Sequence, residues 1–163
     1  MLSDELMVPS RALGALLRER GETVAVAEGS AGGLISAALL AVPGASAHYL
    51  GGAVVYTRQA SVAWMAGAVE TPHGMRGATE VFAQYLARSC RVKVSATWGV
   101  GEAGAAGPPN PYGDPAGHGW VAVAGPTEAT RHLLTGDDDR ERNMVAFAAG
   151  ALGLLLDTVR AAD

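Results

Sequence analysis

The stretch Thr23-Val24-Ala25-Val26-Ala27-Glu28-Gly29-Ser30-Ala31-Gly32-Gly33-Leu34-Ile35-Ser36-Ala37-Ala38-Leu39-Leu40 changes rhythm halfway along. Residues 23–27 form a short, valine-rich apolar run without polar alternation, the pattern of a strand buried on both faces. Glycines at 29, 32 and 33 interrupt it, and residues 34–40 resume as an apolar segment of helical character that stops before Val42-Pro43-Gly44. Strand, glycine turn and helix make the opening unit of an α/β protein. Such a turn emerges beyond the carboxyl end of its strand, where open α/β sheets bind ligands.

Upstream, residues 10–20 set Leu13, Leu16 and Leu17 on one face and end at Gly21, which predicts a helix with a glycine stop. Downstream, residues 47–57 read as a long strand whose Gly51-Gly52 pair marks a bulge or a close approach. A short helix at 59–65, a turn at 71–74, a longer helix at 79–91 and a strand at 93–100 follow. Residues 101–119 hold six glycines and four prolines, and a loop that long within a compact domain is more often functional than idle. Residues 120–124 and 130–134 predict a hairpin. Asp137, Asp138 and Asp139 precede a final helix over 139–160, at its positive dipole end. The expected architecture is one three-layer α/β/α domain over residues 1–163 with a mixed, mostly parallel sheet. Its two glycine-rich loops are expected to face one pocket.

The chain of 163 residues carries a net charge of -4 with only 17% charged residues. With no basic stripe, no nucleic-acid partner is expected. The single cysteine, Cys90, has no partner for a disulfide or a zinc pair and points to a reducing, cytoplasmic setting. His118 stands alone between glycines, so neither a metal nor a cofactor is expected. The first residues lack the pattern of a secretory signal. The longest apolar stretches, 34–42 and 145–156, fall short of the ~20 residues that span a bilayer, so no membrane is expected. The Ala- and Gly-rich helices offer flat apolar faces, which points to a homo-oligomer.

Five fragments in order resemble a known family. Ala27-Glu28-Gly29-Ser30-Ala31-Gly32-Gly33-Leu34 is similar to A-E-S-C-T-G-G-L, and Val42-Pro43-Gly44-Ala45-Ser46 agrees with V-P-G-A-S throughout. Residues 51–61 parallel G-G-x-V-x-Y-S-N-E-A-K, residues 103–108 parallel T-G-I-A-G-P, and Asp139-Arg140-Glu141 matches D-R-E. Together they resemble the CinA C-terminal domain, also called the PncC or nicotinamide-nucleotide amidase family. The resemblance implies a three-layer α/β/α fold with a mixed sheet and a cytoplasmic bacterial enzyme. That enzyme cleaves the carboxamide of nicotinamide mononucleotide with a serine activated by a lysine.

The departures bear on chemistry. The family's serine aligns with Gly29 and its lysine with Ser61, while the only lysine, Lys93, falls at the head of an expected strand, away from strand ends. Arginine cannot stand in as a base, because its pKa stays above ~12. The position of the family's phosphate-directed arginine is Met144, so Arg140 or Arg142 would have to substitute.

Ser30 reads either as the N-cap of the following helix or as a displaced nucleophile needing a different base, with Glu28, Tyr56, His48, His73, His118 and Glu102 as candidates. Amides around Ala31, Gly32 and Gly33 at a helix start suit a phosphate. Glu28, ending a buried strand, needs either a structural hydrogen bond to the opposing loop or a ligand. Tyr56, Glu102, Gly104, Ala105 and Gly107 complete the expected ligand site, whereas Asn110, Tyr112 and Asp114 fit ordinary turn chemistry. The expected function is binding of a small phosphorylated or nicotinamide-nucleotide-like ligand without the Ser-Lys amidase activity. The alternatives are an amidohydrolase working through Ser30 and a purely structural interaction domain.

Overall fold

The computed structural model describes residues 1–162. Its elements run α1 (Asp4–Arg20), β1 (Val24–Glu28), α2 (Leu34–Leu40), a 3-10 turn (Ala45–Ala47), β2 (Tyr49–Val54), α3 (Arg58–Met65), α4 (Glu80–Lys93), β3 (Trp98–Ala105), β4 (His118–Ala124), β5 (Ala129–Leu134) and α5 (Arg140–Ala161). The sheet order is β2-β1-β3-β4-β5. β1 runs parallel to β2 and β3, and β4 runs antiparallel to β3 and β5, so the sheet is mixed, its four pairings evenly divided.

The two faces of the sheet differ in side-chain size, and that difference sets the layers. Val24, Val26, Trp98, Val100 and Val121 join Leu13, Leu17, Ile35 and Leu152 in the larger core beneath α1, α2 and α5. Alternate residues on the other face are small: Ala25, Ala27, Gly99, Gly101 and Ala103. They let α4 lie directly on the strands, since a Cβ at Gly99 or Gly101 would overlap the carbonyl oxygens of Ala87 and Ala83. The helix layers therefore sit at unequal distances by sequence. α5 is long and apolar enough by composition to cross a bilayer, yet half of its most apolar window is buried here, with Ala151, Leu152 and Leu155 in the core.

Several expected boundaries shift for physical reasons. Lys93 does not head a strand but ends α4, where Arg91 and Lys93 suit the negative end of the helix, and β3 begins only at Trp98. The expected loop at 101–119 contracts to 106–117, because Gly101 and Gly104 are strand glycines: Gly104 has no room for a Cβ beside Phe147 and Ser30. The first helix begins at Asp4 with acidic residues in its first turn and tolerates Pro9 inside. β2 stops at Val54 rather than residue 57. Its glycine pair coincides with a register irregularity against β1, and a Cβ at Gly52 would crowd Tyr49 and Ser36.

Candidate functional site

Glu28 and Glu102 are register partners at the carboxyl ends of β1 and β3, both fully buried or nearly so. Each carboxylate holds a different part of the turn between them. Glu28 accepts from Ile35 N at 3.1 Å, Ser36 N at 3.0 Å and Ser36 Oγ at 2.7 Å. It thereby satisfies amide groups that a helix start leaves without partners. Its need for a hydrogen bond is met, by α2 rather than by the opposing loop. Glu102 Oε2 accepts from Gly29 N at 3.0 Å and Ala31 N at 2.8 Å, and its Oε1 accepts from Ser30 Oγ.

These contacts revise two expectations. Ser30 does not cap α2. The N-cap is Gly33 at φ 100 without a side-chain cap bond, and Glu28 provides the acceptors instead. Of the amides around the expected anion seat, those of Gly29 and Ala31 already face the Glu102 carboxylate, and that of Gly32 donates to the Gly29 carbonyl at 3.1 Å. Burial pushes the Glu102 carboxyl up to about 7, the nearby Glu28 charge adding to the rise and the bonds from Ser30, Ala31 and Gly29 opposing it.

In front of Ser30 opens a cavity of about 830 Å³. One wall is the segment Gly104–Pro108, which leaves the end of β3; another is Tyr56–Arg58 with Ser61 of α3. Phe82 and Tyr85 of α4 also line the cavity, with residues 71–72, residues 74–78, Asn110, Tyr112 and Asp114. Arg140 bridges two walls: Nη1 donates to the Gly107 carbonyl at 2.5 Å and Nη2 to Tyr56 Oη at 2.8 Å, with the guanidinium 6.0 Å from the Tyr56 ring centre. Arg76 donates twice to Asp114, at 3.1 and 3.2 Å, and Asn110 Nδ2 adds a third bond at 3.1 Å. The Arg76 guanidinium holds the Asp114 carboxyl below its usual range.

Of the residues expected at the site, Ser30, Tyr56, Gly104, Ala105, Gly107 and Arg140 border this cavity. Glu28, Gly29, Ala31, Gly32, Gly33 and Glu102 do not. They form the turn and the layer behind it. Arg142 turns elsewhere, 3.7 Å from Asp137 and 3.6 Å from Asp139 with its side chain 77% exposed. Met144 packs against Gly32. The cavity also gathers Arg58, Arg76, Phe82 and Tyr85, which sequence reasoning does not place at the site. The two aromatics carry a helical period that reads equally as core, and Arg76 lies in an irregular segment where nothing in the pattern gives direction. Asp114 has the sequence context of a turn, and its bond to Arg76 is a contact across 38 residues.

Lys93 takes no part in the site. Its Nζ donates to the Ala66 carbonyl at 2.9 Å and lies outside the cavity lining, while Ser30 Oγ bonds Glu102. Ser61, at the family's lysine position, is buried against the cavity. Gly29 has room for a side chain: a Cβ there would lie 3.4 Å from its nearest neighbours, the Glu102 and Val55 carbonyl oxygens.

Comparison with known proteins agrees with this framework. The CinA C-terminal domain family matches residues 8–159. The chain is 39% identical over 138 residues to a CinA-like protein of Anaeromyxobacter sp. (strain K), covering 83% of this chain and 34% of that one. It is also 39% identical over 148 residues to a CinA-like protein of Acidobacterium capsulatum, covering 88% and 34%. The chain belongs to the CinA C-terminal domain family, and it spans about a third of the length of these relatives.

Among solved structures, the competence/damage-inducible protein CihA of Agrobacterium tumefaciens superposes with a TM-score of 0.88 at 24% identity, covering 98% of both chains. A competence-damaged protein (CinA) superfamily protein of Escherichia coli gives 0.86 at 23%, covering 97% of this chain and 94% of that one. At these identities the likeness is one of fold.

Proposed function

We propose that this CinA-family domain binds a small phosphorylated or nucleotide-like ligand in the cavity in front of Ser30, without the Ser-Lys amidase chemistry that the sequence resemblance implies. One observation carries the reading: a cavity of about 830 Å³ opens in front of Ser30 while both positions expected to react are replaced. Gly29 and Ser61 stand where the serine and lysine are expected, and the chain's only lysine bonds Ala66 instead.

The chemistry of the walls supports an anionic, partly aromatic ligand. Arg58 and Arg140 bring positive charge to the cavity beyond the Arg76–Asp114 pair, while Tyr56, Phe82, Tyr85 and Tyr112 offer ring faces. The volume lies within the ~300–1,000 Å³ of small-molecule sites. The cytoplasmic setting and the homo-oligomer inferred from composition belong to the same proposal.

The test is titration of the purified protein with nicotinamide mononucleotide, following melting temperature and ammonia in parallel. The reading expects a saturable rise in melting temperature without ammonia. A Gly29→Ser/Ser61→Lys variant is the control that puts the reactive pair back.

A further inference from the structure

The proposed ligand site leaves its most unusual feature unused. Ser30 stands at the cavity wall, yet its hydroxyl donates to Glu102, whose carboxylate is fully buried and fixed by two backbone amides. The two carboxylate oxygens divide the work. Oε2 ties down the turn through Gly29 and Ala31, which satisfies the structural need, and Oε1 is left for the hydroxyl alone. No arginine, lysine or histidine bonds this carboxylate among the described residues.

Gly104 sits on the other side of the hydroxyl. A Cβ there would come within 2.8 Å of Ser30 Oγ and 2.6 Å of the Phe147 ring, so glycine at 104 is what lets the hydroxyl sit against β3, and both Gly104 and Ser30 line the cavity.

We propose that Ser30 and Glu102 form a nucleophile and general-base pair that accepts an acyl group from a small carboxylic ester bearing an anionic group. The proposal rests on the cavity reading above for its ligand class, but not on the Ser-Lys route.

The pair supplies a complete cycle. Ser30 Oγ forms a bond to the ester carbonyl carbon as its proton passes to Glu102 Oε1. The tetrahedral adduct collapses by breaking the bond to the leaving alkoxide, which takes that proton from Glu102. Water then attacks the acyl-Ser30 ester, giving one proton to Glu102. Breaking the bond from the acyl carbon to Ser30 Oγ returns the proton to the hydroxyl and releases the acid. No oxidant, metal or second base enters.

An ester suits this pair better than a carboxamide. An alkoxide is a far better leaving group than an amide anion and can depart before Glu102 returns its proton, whereas nitrogen departs only once that proton has been transferred. The Arg58 and Arg140 guanidiniums give the anionic group of such an ester a place on the same cavity, whereas Arg76 is held by Asp114.

The base must be partly ionised at working pH and still able to return a proton. Burial beside Glu28 sets Glu102 in that range, at about 7. Glu28 is the other ionisable group facing it, and among the described residues no cation lies between them.

The experiment is labelling of the full chain with p-nitrophenyl acetate and with a fluorophosphonate, read by intact mass, peptide mapping and the burst of p-nitrophenolate. The expected result is one adduct, on Ser30, absent in Ser30→Ala and formed at least ~100-fold more slowly in Glu102→Gln. In the unmodified protein the labelling rate should rise through neutral pH with a single ionisation, which keeps the test valid should Glu102→Gln fail to fold. Labelling elsewhere, no labelling between pH 6 and 9, or an unchanged rate in a folded Glu102→Gln would overturn the proposal. Nicotinamide mononucleotide binding, measured beside labelling in the unmodified protein, separates the two readings. Binding without acylation of Ser30 sinks the pair alone, whereas acylation of Ser30 without binding sinks the ligand assignment.

Discussion

Glu28 and Glu102 face each other across the parallel pairing of β1 and β3, and between them they accept six hydrogen bonds from the turn and helix that follow β1. Two buried carboxylates thus do what a bound anion does at many glycine turns. The Gly29 and Ala31 amides of the turn are thereby occupied by Glu102, and the ligand proposed above is assigned to the cavity beside it.

Replacing Glu28 with alanine would leave the Ile35 and Ser36 amides at the head of α2 without acceptors. The loss of a cap together with unpaired buried donors costs about 2–4 kcal/mol. For a domain this size that corresponds to a fall in melting temperature of roughly 5–15 °C, measurable by circular dichroism. Gln at 28 keeps one acceptor and is expected to fall in between.

The pH dependence of stability carries the signature of Glu102. Its folded carboxyl lies at about 7 against an ordinary value of 4.5, so between these values the folded chain holds a proton that the unfolded chain has lost. Its contribution is full below about 4.5 and declines as pH rises through 7. Urea midpoints measured from pH 5 to 8 should fall across this window in the native protein and change less in Glu102→Gln.

Gly101 is expected to tolerate no side chain. Alanine there overlaps the Ala83 carbonyl oxygen, which belongs to the backbone of α4 and cannot rotate away. A loss of about 3 kcal/mol or more, or failure to fold, is the expected outcome, read by yield and urea unfolding. Gly136, with open space around it but a φ of 70, should show only the smaller cost of a strained backbone.

Arg140 and Arg142 sit two residues apart and should behave oppositely. Arg140 joins Tyr56 to Gly107 at the cavity, so Arg140→Ala is expected to weaken anionic ligand binding by ~10–100-fold, the equivalent of one charged hydrogen bond. Arg142 pairs only with exposed carboxylates of its own helix start, and Arg142→Ala should leave binding unchanged in calorimetric titration.

The strand, turn and helix around residues 23–40 were legible because burial on both faces leaves a continuous apolar run, and glycine punctuates it. The hairpin was legible from its turn residues, Gly125-Pro126-Thr127-Glu128 between two short runs, although β5 is only partly buried. Boundaries failed where glycine served packing rather than turning. Gly101 and Gly104 resemble loop residues in sequence but lie in β3, because a helix and a phenylalanine ring press on the strand from either side. The site was half legible. Ser30, Tyr56 and Arg140 followed from the resemblance, whereas the contacts of Glu102 with the turn and of Arg76 with Asp114 span 71–73 and 38 residues. Long-range pairings of that kind leave no periodic trace.

The most direct test of the account is titration of the purified, unmodified protein with nicotinamide mononucleotide, recording bound heat and released ammonia together. The account predicts saturable binding that Arg140→Ala weakens, with no ammonia above the background of the uncatalysed reaction. Steady ammonia release that disappears in Ser30→Ala, or the absence of any binding heat at millimolar ligand, would contradict it.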